Sequence, residues 1–304
     1  MKVLVLGATG DQGRPQVHAA LQAGHAVVAG VRDPAKASLL FGPRVPCAAI
    51  DFGNSAMLRT AMQGADAVLA NFPSSSFNDG EWLIGAASAV GEAARDSGVR
   101  HIVFNTSLPQ RDHLLGYRAH DVRFLMRERL AVAGVPLTVL CPVVFMGNLL
   151  RGWAFPHIAD EGRFVYPHGP ALEVSWICQE DLASLMLAAA ERPALAGRVL
   201  MVGGPQALRG AEVAAILSEA SGRTITFVSQ SVADFCGAMR AQLKSTTEAE
   251  RERMLSELER IYRWYNESSE KPFKVDMQPV LQLLPVRLTP LREWARSQHW
   301  TRGA

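Results

Sequence analysis

VLVLGATGDQG, from Val3 to Gly13, is the stretch from which the rest of the chain is read. Val3, Leu4, Val5 and Leu6 form an unbroken apolar run, the pattern of a parallel strand covered on both faces. Gly7, Gly10 and Gly13 follow at three-residue spacing, and Pro15 to Gly24 reads as a helix. At a strand-to-helix turn, the first glycine permits the tight turn and the second lets a pyrophosphate approach the backbone. The third lets helix and strand pack closely, and the helix N-terminus faces the phosphate charge. A glycine triplet alone is a weak signal, but between a buried strand and a helical pattern it is a strong one. Gly7, Thr9, Gly10, Asp11, Gln12 and Gly13 are therefore the expected cradle of a dinucleotide. The bland alternative is a glycine-rich turn that holds no ligand.

Composition narrows the function classes. The 304 residues suffice for one large domain or two smaller ones. Lys and Arg number 31 against 29 Asp and Glu, so no electrostatic footprint for nucleic acid or an anionic membrane is present. A hydrophobic fraction of 48% is ordinary for a soluble enzyme. No apolar run approaches a membrane span, and Lys2 leading into a strand does not resemble a signal peptide. Cys47, Cys141, Cys178 and Cys236 are scattered without metal-ligand spacing, which reads as reduced thiols in a cytoplasmic protein with no metal.

Outward from the glycine turn, strand and helix signals alternate. His25 to Val31 is a second strand ending at Arg32, the position that faces the adenosine ribose in such an architecture. An acidic residue there would accept from a 2′-hydroxyl. Arg32 instead offers a charge-assisted fork to a 2′-phosphate, with Lys36 as a second cation, so NADP(H) is expected over NAD(H). Asp33 beside them argues the other way, and both cations also read as an exposed loop. Cys47 to Ile50 is a third strand, closed by Asp51, Phe52 and Gly53. Asp51 either meets the adenine amino group or caps the helix from Asn54 onward. Ala67 to Ala70 is the fourth strand, and Asn71, Phe72 and Pro73 leave its carboxyl end, where doubly wound sheets bind ligands. A helix from Trp82 to Ser97, a strand from Ile102 to Asn105 and another from Leu137 to Cys141 complete a Rossmann-type α/β doubly wound parallel sheet.

GATGDQG, VRDP around Arg32, DFGN after the third strand and FMGNLL from Phe145 to Leu150 together resemble the NmrA-like family, a group of atypical short-chain dehydrogenase/reductases. LTPLREWARSQHW, from Leu288 to Trp300, resembles that family's closing strand-and-helix segment, so the resemblance covers nearly the whole chain. It implies NADP(H) binding and one of two activities: reduction of quinones, isoflavones or lignan-type phenols, or regulation. It also adds Phe145 and Asn148 to the cofactor-facing residues, and has the segment 175–192 return to pack beside the nucleotide domain. The expected division is residues 1–150 as the nucleotide domain and 151–304 as a smaller, discontinuous α+β domain that forms the cleft floor. In that second part, Arg151 to Pro170 is rich in aromatics, Gly, Pro and His, and reads as a pocket-lining excursion. Strands at Arg198 to Val202 and Thr224 to Val228, a helix at Gly210 to Ser221 and a charged helix at Thr246 to Asn266 follow.

The chemistry is harder to read. Short-chain dehydrogenases use a tyrosine acid with a lysine four residues on, and this chain has no lysine between Lys36 and Lys244. Tyr117 is followed at the fourth position by Asp121. The resemblance places a lone lysine early in the helix before the sixth strand, and that position holds Arg123. Arginine keeps the charge and binds a ribose, but is a poor proton donor. Other donors are Tyr117, His113, His120, Tyr166 and His168; His120, one turn before Arg123, is chemically the best placed, or else a surface histidine. Ser107 resembles the family's carbonyl-orienting serine, or caps its loop. Two functions follow. One is an NADPH-dependent reductase of a small apolar carbonyl, quinone or phenolic substrate. The other is a non-catalytic NADP(H)-responsive regulator acting through a protein partner. Direct DNA binding is disfavoured by the charge balance.

Overall fold

The computed structural model describes residues 1–73, 80–240 and 247–301. Its strands are β1 (Lys2–Leu6), β2 (Ala26–Val31), β3 (Cys47–Ala49), β4 (Ala67–Ala70), β5 (His101–Asn105), β6 (Leu137–Pro142), β7 (Arg163–Tyr166), β8 (Val199–Val202) and β9 (Thr226–Ser229). The helices are α1 (Gly13–Gln22), α2 (Pro34–Phe41), α3 (Ser55–Met62), α4 (Gly80–Asp96), α5 (Arg118–Val132) and α6 (Phe155–Glu161). After them come α7 (Gln179–Ala190), α8 (Gly210–Ser221), α9 (Val232–Arg240), α10 (Glu248–Glu267), α11 (Gln278–Leu283) and α12 (Leu291–Arg296). The chain forms two compact units. One comprises Met1–Pro142, Gln179–Val202 and Gln278–Val286; the other comprises Val143–Cys178, Gly203–Met277 and Arg287–Ala304.

The first unit is a parallel sheet in the order β3-β2-β1-β4-β5-β6-β8, the doubly wound Rossmann arrangement. The strand order reverses between β1 and β4, and both central strands are apolar on both faces. Leu4, Leu6, Val68, Ala70, Ile102, Phe104, Val139 and Cys141 point to one side, into a core shared with α3, α4 and α5. Val3, Val5, Leu69, Val103 and Leu140 alternate to the other side, on which α1 and α7 lie. A helical layer on each face explains why these strands read as continuous apolar runs rather than alternating ones.

The second unit contains the parallel pair β7–β9 with α6, α8, α9, α10 and α12. Its interior is aromatic: Phe164, Tyr166, Trp176, His168, Phe227 and Phe273 pack ring against ring. Helix α10 starts on a reciprocal cap. The Glu250 amide donates to the Thr247 hydroxyl at 3.3 Å, and the Thr247 amide donates to the Glu250 carboxylate at 3.0 Å. Leu255, Ile261 and Tyr265 bury its inner face, while pairs such as Arg263–Glu259 at 2.7 Å line its outer one. Thr246, expected as the first residue of this helix, lies outside the described residues.

Two stretches differ from expectation. Arg151 to Pro170, read as a pocket-lining excursion with no helix or strand assigned to it, holds the short helix α6 and the strand β7, joined by Gly162 in the left-handed conformation. Both are too short for a period to show in sequence. The closing segment forms α12 but no strand before it; Leu288 to Pro290 is bounded by Pro290, which leads into the helix.

The tightest point of the first unit is Gly13. A Cβ built there would lie 2.2 Å from the Gly7 carbonyl oxygen and 2.9 Å from the Ala8 Cα, and backbone cannot swing aside as a side chain does. Gly13→Ala is therefore expected to destabilise the fold by about 3 kcal/mol, lowering Tm by roughly 5–10 °C in circular dichroism melts. An unchanged Tm would show that α1 does not pack on this turn.

Candidate functional site

The glycine turn and α1 stand at the carboxyl ends of β1 and β4, where the strand order reverses and doubly wound sheets bind their ligands. Gly7 has φ 66° and its amide oxygen accepts from the Gly10 amide at 3.0 Å, closing the turn. Gly10 is exposed, and a Cβ there would meet only the Gly7 oxygen, at 3.2 Å. Thr9 and Asp11 are exposed beside it. At the start of α1 the Arg14 amide donates to the Gly10 carbonyl at 2.9 Å and Pro15 carries no N–H, so what the helix start presents to an anion is chiefly the positive end of its dipole. A backbone face kept open at Gly10 and tightly packed behind at Gly13 suits a pyrophosphate.

Behind the turn runs a chain of amides. Gln16, fully buried on α1, pairs reciprocally with Asn71: Gln16 Nε2 donates to Asn71 Oδ1 at 2.9 Å, and Asn71 Nδ2 donates to Gln16 Oε1 at 2.8 Å. Asn71 Nδ2 also donates to the Leu6 carbonyl at 3.0 Å, tying the end of β4 to the end of β1. Asn105 Nδ2 donates to Asn71 Oδ1 at 3.0 Å and to Gln12 Oε1. Asn105 Oδ1 accepts from the Ser107 amide at 2.9 Å, and the Ser107 hydroxyl donates to Gln12 Oε1 at 3.0 Å. Ser107 sits at φ 59°, a conformation that costs a non-glycine residue on the order of 1–3 kcal/mol and persists only where the surroundings enforce it. Gln16 and Asn105 were missed in the sequence. The available signals were a polar residue on the buried stripe of α1, and an amide at the carboxyl end of β5.

Helix α5 brings Arg123 and His120 to the same strand ends. Arg123 is only 5% exposed; its Nε donates to the Thr106 carbonyl at 3.4 Å, and its NH1 is buried without a partner. Burial lowers its pKa to about 10, which still leaves it a cation at neutral pH. His120 is 2% exposed and its Nδ1 donates to the Pro109 carbonyl at 2.8 Å. Burial, with the Arg123 and Arg111 charges as lesser causes, lowers its pKa to about 4 against the opposing Pro109 hydrogen bond. His120 is thus a neutral ring at pH 7, and the imidazolium is not among the proton donors available there. Tyr117 stands half-buried at the N-cap of α5, and Asp121 accepts from the Leu115 and Gly116 amides at 2.7 and 3.0 Å. His113 is exposed beside Asp112.

At the other end of the site, Arg32 follows β2, exposed and without an ion pair among the described residues. Asp33 caps α2, accepting from the Lys36 amide at 3.2 Å, and its carboxylate lies 3.6 Å from Lys36 Nζ. The acidic residue beside Arg32 is therefore occupied by its own helix. Asp51 accepts from the Gly53 amide at 2.9 Å, and α3 is capped by Asn54 rather than by Asp51. Phe72 stacks on Phe52 with centroids 5.1 Å apart and meets Phe104 edge-on, anchoring the loop after β4 to the core; Pro73 is exposed.

Phe145, Asn148, Tyr166 and His168 belong to the second unit. Phe145 bridges to Ile177 and opens a 3-10 turn, Met146–Leu150, on which Asn148 Nδ2 donates to the Tyr166 hydroxyl at 3.4 Å. Burial raises the Tyr166 pKa well above its usual value and lowers that of His168 to about 3, so both are neutral at pH 7. Among the described residues no cluster of His, Cys, Asp or Glu would hold a metal, and no helix is long and apolar enough to cross a membrane.

The model of the NmrA-like family matches residues 1–295. An NAD(P)H azoreductase of Xenophilus azovorans is 33% identical over 229 residues, covering 74% of this chain and 76% of that protein. Quinone oxidoreductase 2 of Escherichia coli K12 is 26% identical over 241 residues, covering 79% and 81%. In fold, the Citrobacter triphenylmethane reductase crystallised with NADP(H) superposes with a TM-score of 0.75 at 23% identity, over 97% of this chain and 99% of that one.

The buried histidine makes a prediction about acid stability. With a folded pKa near 4 against the usual 6.5, the unfolded chain binds the His120 proton more readily. Its effect on stability is absent above pH 6.5 and grows as pH falls towards 4, reaching on the order of 3 kcal/mol. His120→Gln should flatten that part of the stability–pH curve in urea titrations, leaving the share owed to His168. An identical curve would show that His120 is solvated.

Proposed function

The chain belongs to the NmrA-like family, and from that premise we propose that it is an NADPH-dependent reductase of a small, largely apolar aromatic acceptor: a carbonyl, quinone or phenolic compound. The observation that carries the reading is Arg123, a buried cation with an unpartnered nitrogen at the carboxyl end of the sheet. A buried donor left unmade costs about 1–3 kcal/mol, more for a charged group, unless a ligand meets it.

The residues divide the work. The turn from Gly7 to Gly13 cradles the pyrophosphate, and Arg32, with Lys36 behind it, meets the 2′-phosphate. Asp51 and the Asn71–Phe72–Pro73 loop border the adenosine side, and it is the family resemblance that adds Phe145 and Asn148 to the cofactor-binding residues. Bound NADPH would supply the hydride. Hydride arrival leaves negative charge on the acceptor, and Arg123 stabilises it as a fixed cation without giving up a proton. A quinone or an azo bond tolerates this, because its anionic product takes a proton from water afterwards. The named activities of the azoreductase and quinone oxidoreductase relatives support an acceptor of this kind. We assign the nucleotide to residues 1–150 with 175–192, and the acceptor or a partner to the remainder. The arginine in place of lysine also favours a second reading, an NADP(H)-responsive regulator that binds without turnover.

Two tests follow. NADPH should bind roughly ten- to a hundredfold more tightly than NADH, and Arg32→Ala should erase the difference; equal wild-type affinities would remove the 2′-phosphate contact. With quinone and azo acceptors, Arg123→Lys should retain or raise NADPH oxidation and Arg123→Ala should cut it at least tenfold. A folded wild type that binds NADPH and oxidises none of it would leave the regulator.

A further inference from the structure

The polarity of the amide chain is set by two backbone groups. Leu6 presents only a carbonyl, so the Asn71 atom 3.0 Å away is the nitrogen and Asn71 Oδ1 faces Asn105. At the other end Ser107 presents an N–H, so the Asn105 atom 2.9 Å away is the oxygen. Both ends therefore place Asn105 Nδ2 towards Gln12, and the Gln12 atom it meets has to be the amide oxygen. That oxygen is also 3.0 Å from Ser107 Oγ, so the hydroxyl is the donor in this contact. No amide in the chain can be flipped without opposing two donors or two acceptors.

Two consequences follow. The Ser107 proton is committed to Gln12, so its oxygen meets any ligand as an acceptor; donation to a substrate carbonyl, the role its position suggested, is closed while this bond lasts. Meanwhile Gln12 Nε2 makes no hydrogen bond among the described residues. Gln12 stands at the N-cap of α1, between Asp11 and Gly13, yet its side chain does not cap the helix. One end of this amide is used, and the other is unbonded among the described residues on a side chain of the turn to which the proposed function gives the pyrophosphate.

We propose that Gln12 is a positioning residue that couples the two halves of the nucleotide site. Its amide nitrogen donates to the pyrophosphate, and its amide oxygen holds Ser107 as an acceptor for a hydroxyl or amide hydrogen of the same cofactor. This rests on the NADPH reading above.

Titration with NADPH and thermal unfolding of Gln12→Glu, Gln12→Leu, Ser107→Ala and the double variant Gln12→Leu/Ser107→Ala test it. Glutamate keeps an oxygen for Asn105 and Ser107 but sets a negative charge where the donor was. Gln12→Glu should thus melt with wild type and bind NADPH about tenfold or more weakly. Ser107→Ala should weaken binding several-fold alone, and add nothing once Gln12→Leu has freed the hydroxyl. The proposal is overturned if Gln12→Glu binds as wild type does, if Ser107→Ala costs the same factor in both backgrounds, or if Gln12→Leu lowers only the melting temperature. A folded wild type that does not bind NADPH overturns the functional reading and this inference with it, which the variants then need not decide.

Discussion

The approach of Gly13 to the Gly7 carbonyl is the constraint on which the rest of the first unit depends. Helix α1 can begin where it does only because no side chain stands between its first turn and the end of β1. That contact aims the helix N-terminus at the space above the strand order reversal and leaves Gly10 open on the far side. It also brings Gln16 under the sheet ends, where an amide would be costly if unpaired. Asn71 answers it with a reciprocal pair, and Asn105 extends the pairing across β5 to Gln12. Every buried amide in this set has its partner, so the network specifies one arrangement of three strand ends rather than merely tolerating burial.

Arg123 and His120 are placed by the same logic with the opposite electrostatic outcome. Both are taken out of water by α5 packing on the sheet, and desolvation opposes charge in each. The histidine lies below neutrality and gives up its charge; the arginine starts high enough to keep it. A site built this way supplies a fixed positive charge rather than a proton. On the proposed function, that charge would meet an acceptor whose reduced anion is protonated by solvent.

Much of the sheet was legible because its strands are covered on both faces. The runs at Val3, Ala67 and Leu137 leave no polar break to confuse the reading, and the glycines punctuate the first turn. Helix ends shifted by one or two residues, as capping side chains allow. The chemistry was less legible, because it is made of pairs far apart in the chain. Gln12 and Asn105 are 93 residues apart and Gln16 and Asn71 are 55 apart, and no local spacing announces either. Ser107 and His120 were visible as residue types, but hydrogen-bond polarity and burial, not type, decide that the Ser107 hydroxyl donates to Gln12 and that His120 stays neutral. In the second unit, α6 and β7, seven and four residues long, lie in an aromatic stretch and span too few repeats for a helix or strand period to show.

The central claim is that the amide-tied glycine turn holds NADPH in one orientation for hydride delivery beside Arg123. Its most direct test is oxidation of two NADPH samples, each deuterated at one of the two prochiral C4 positions, by a quinone acceptor, with the mass of the NADP+ formed as the readout. The account predicts that one sample yields NADP+ that keeps its deuterium and the other yields NADP+ that has lost it. Equal mixtures from both, or tight binding with no oxidation of either, would contradict it.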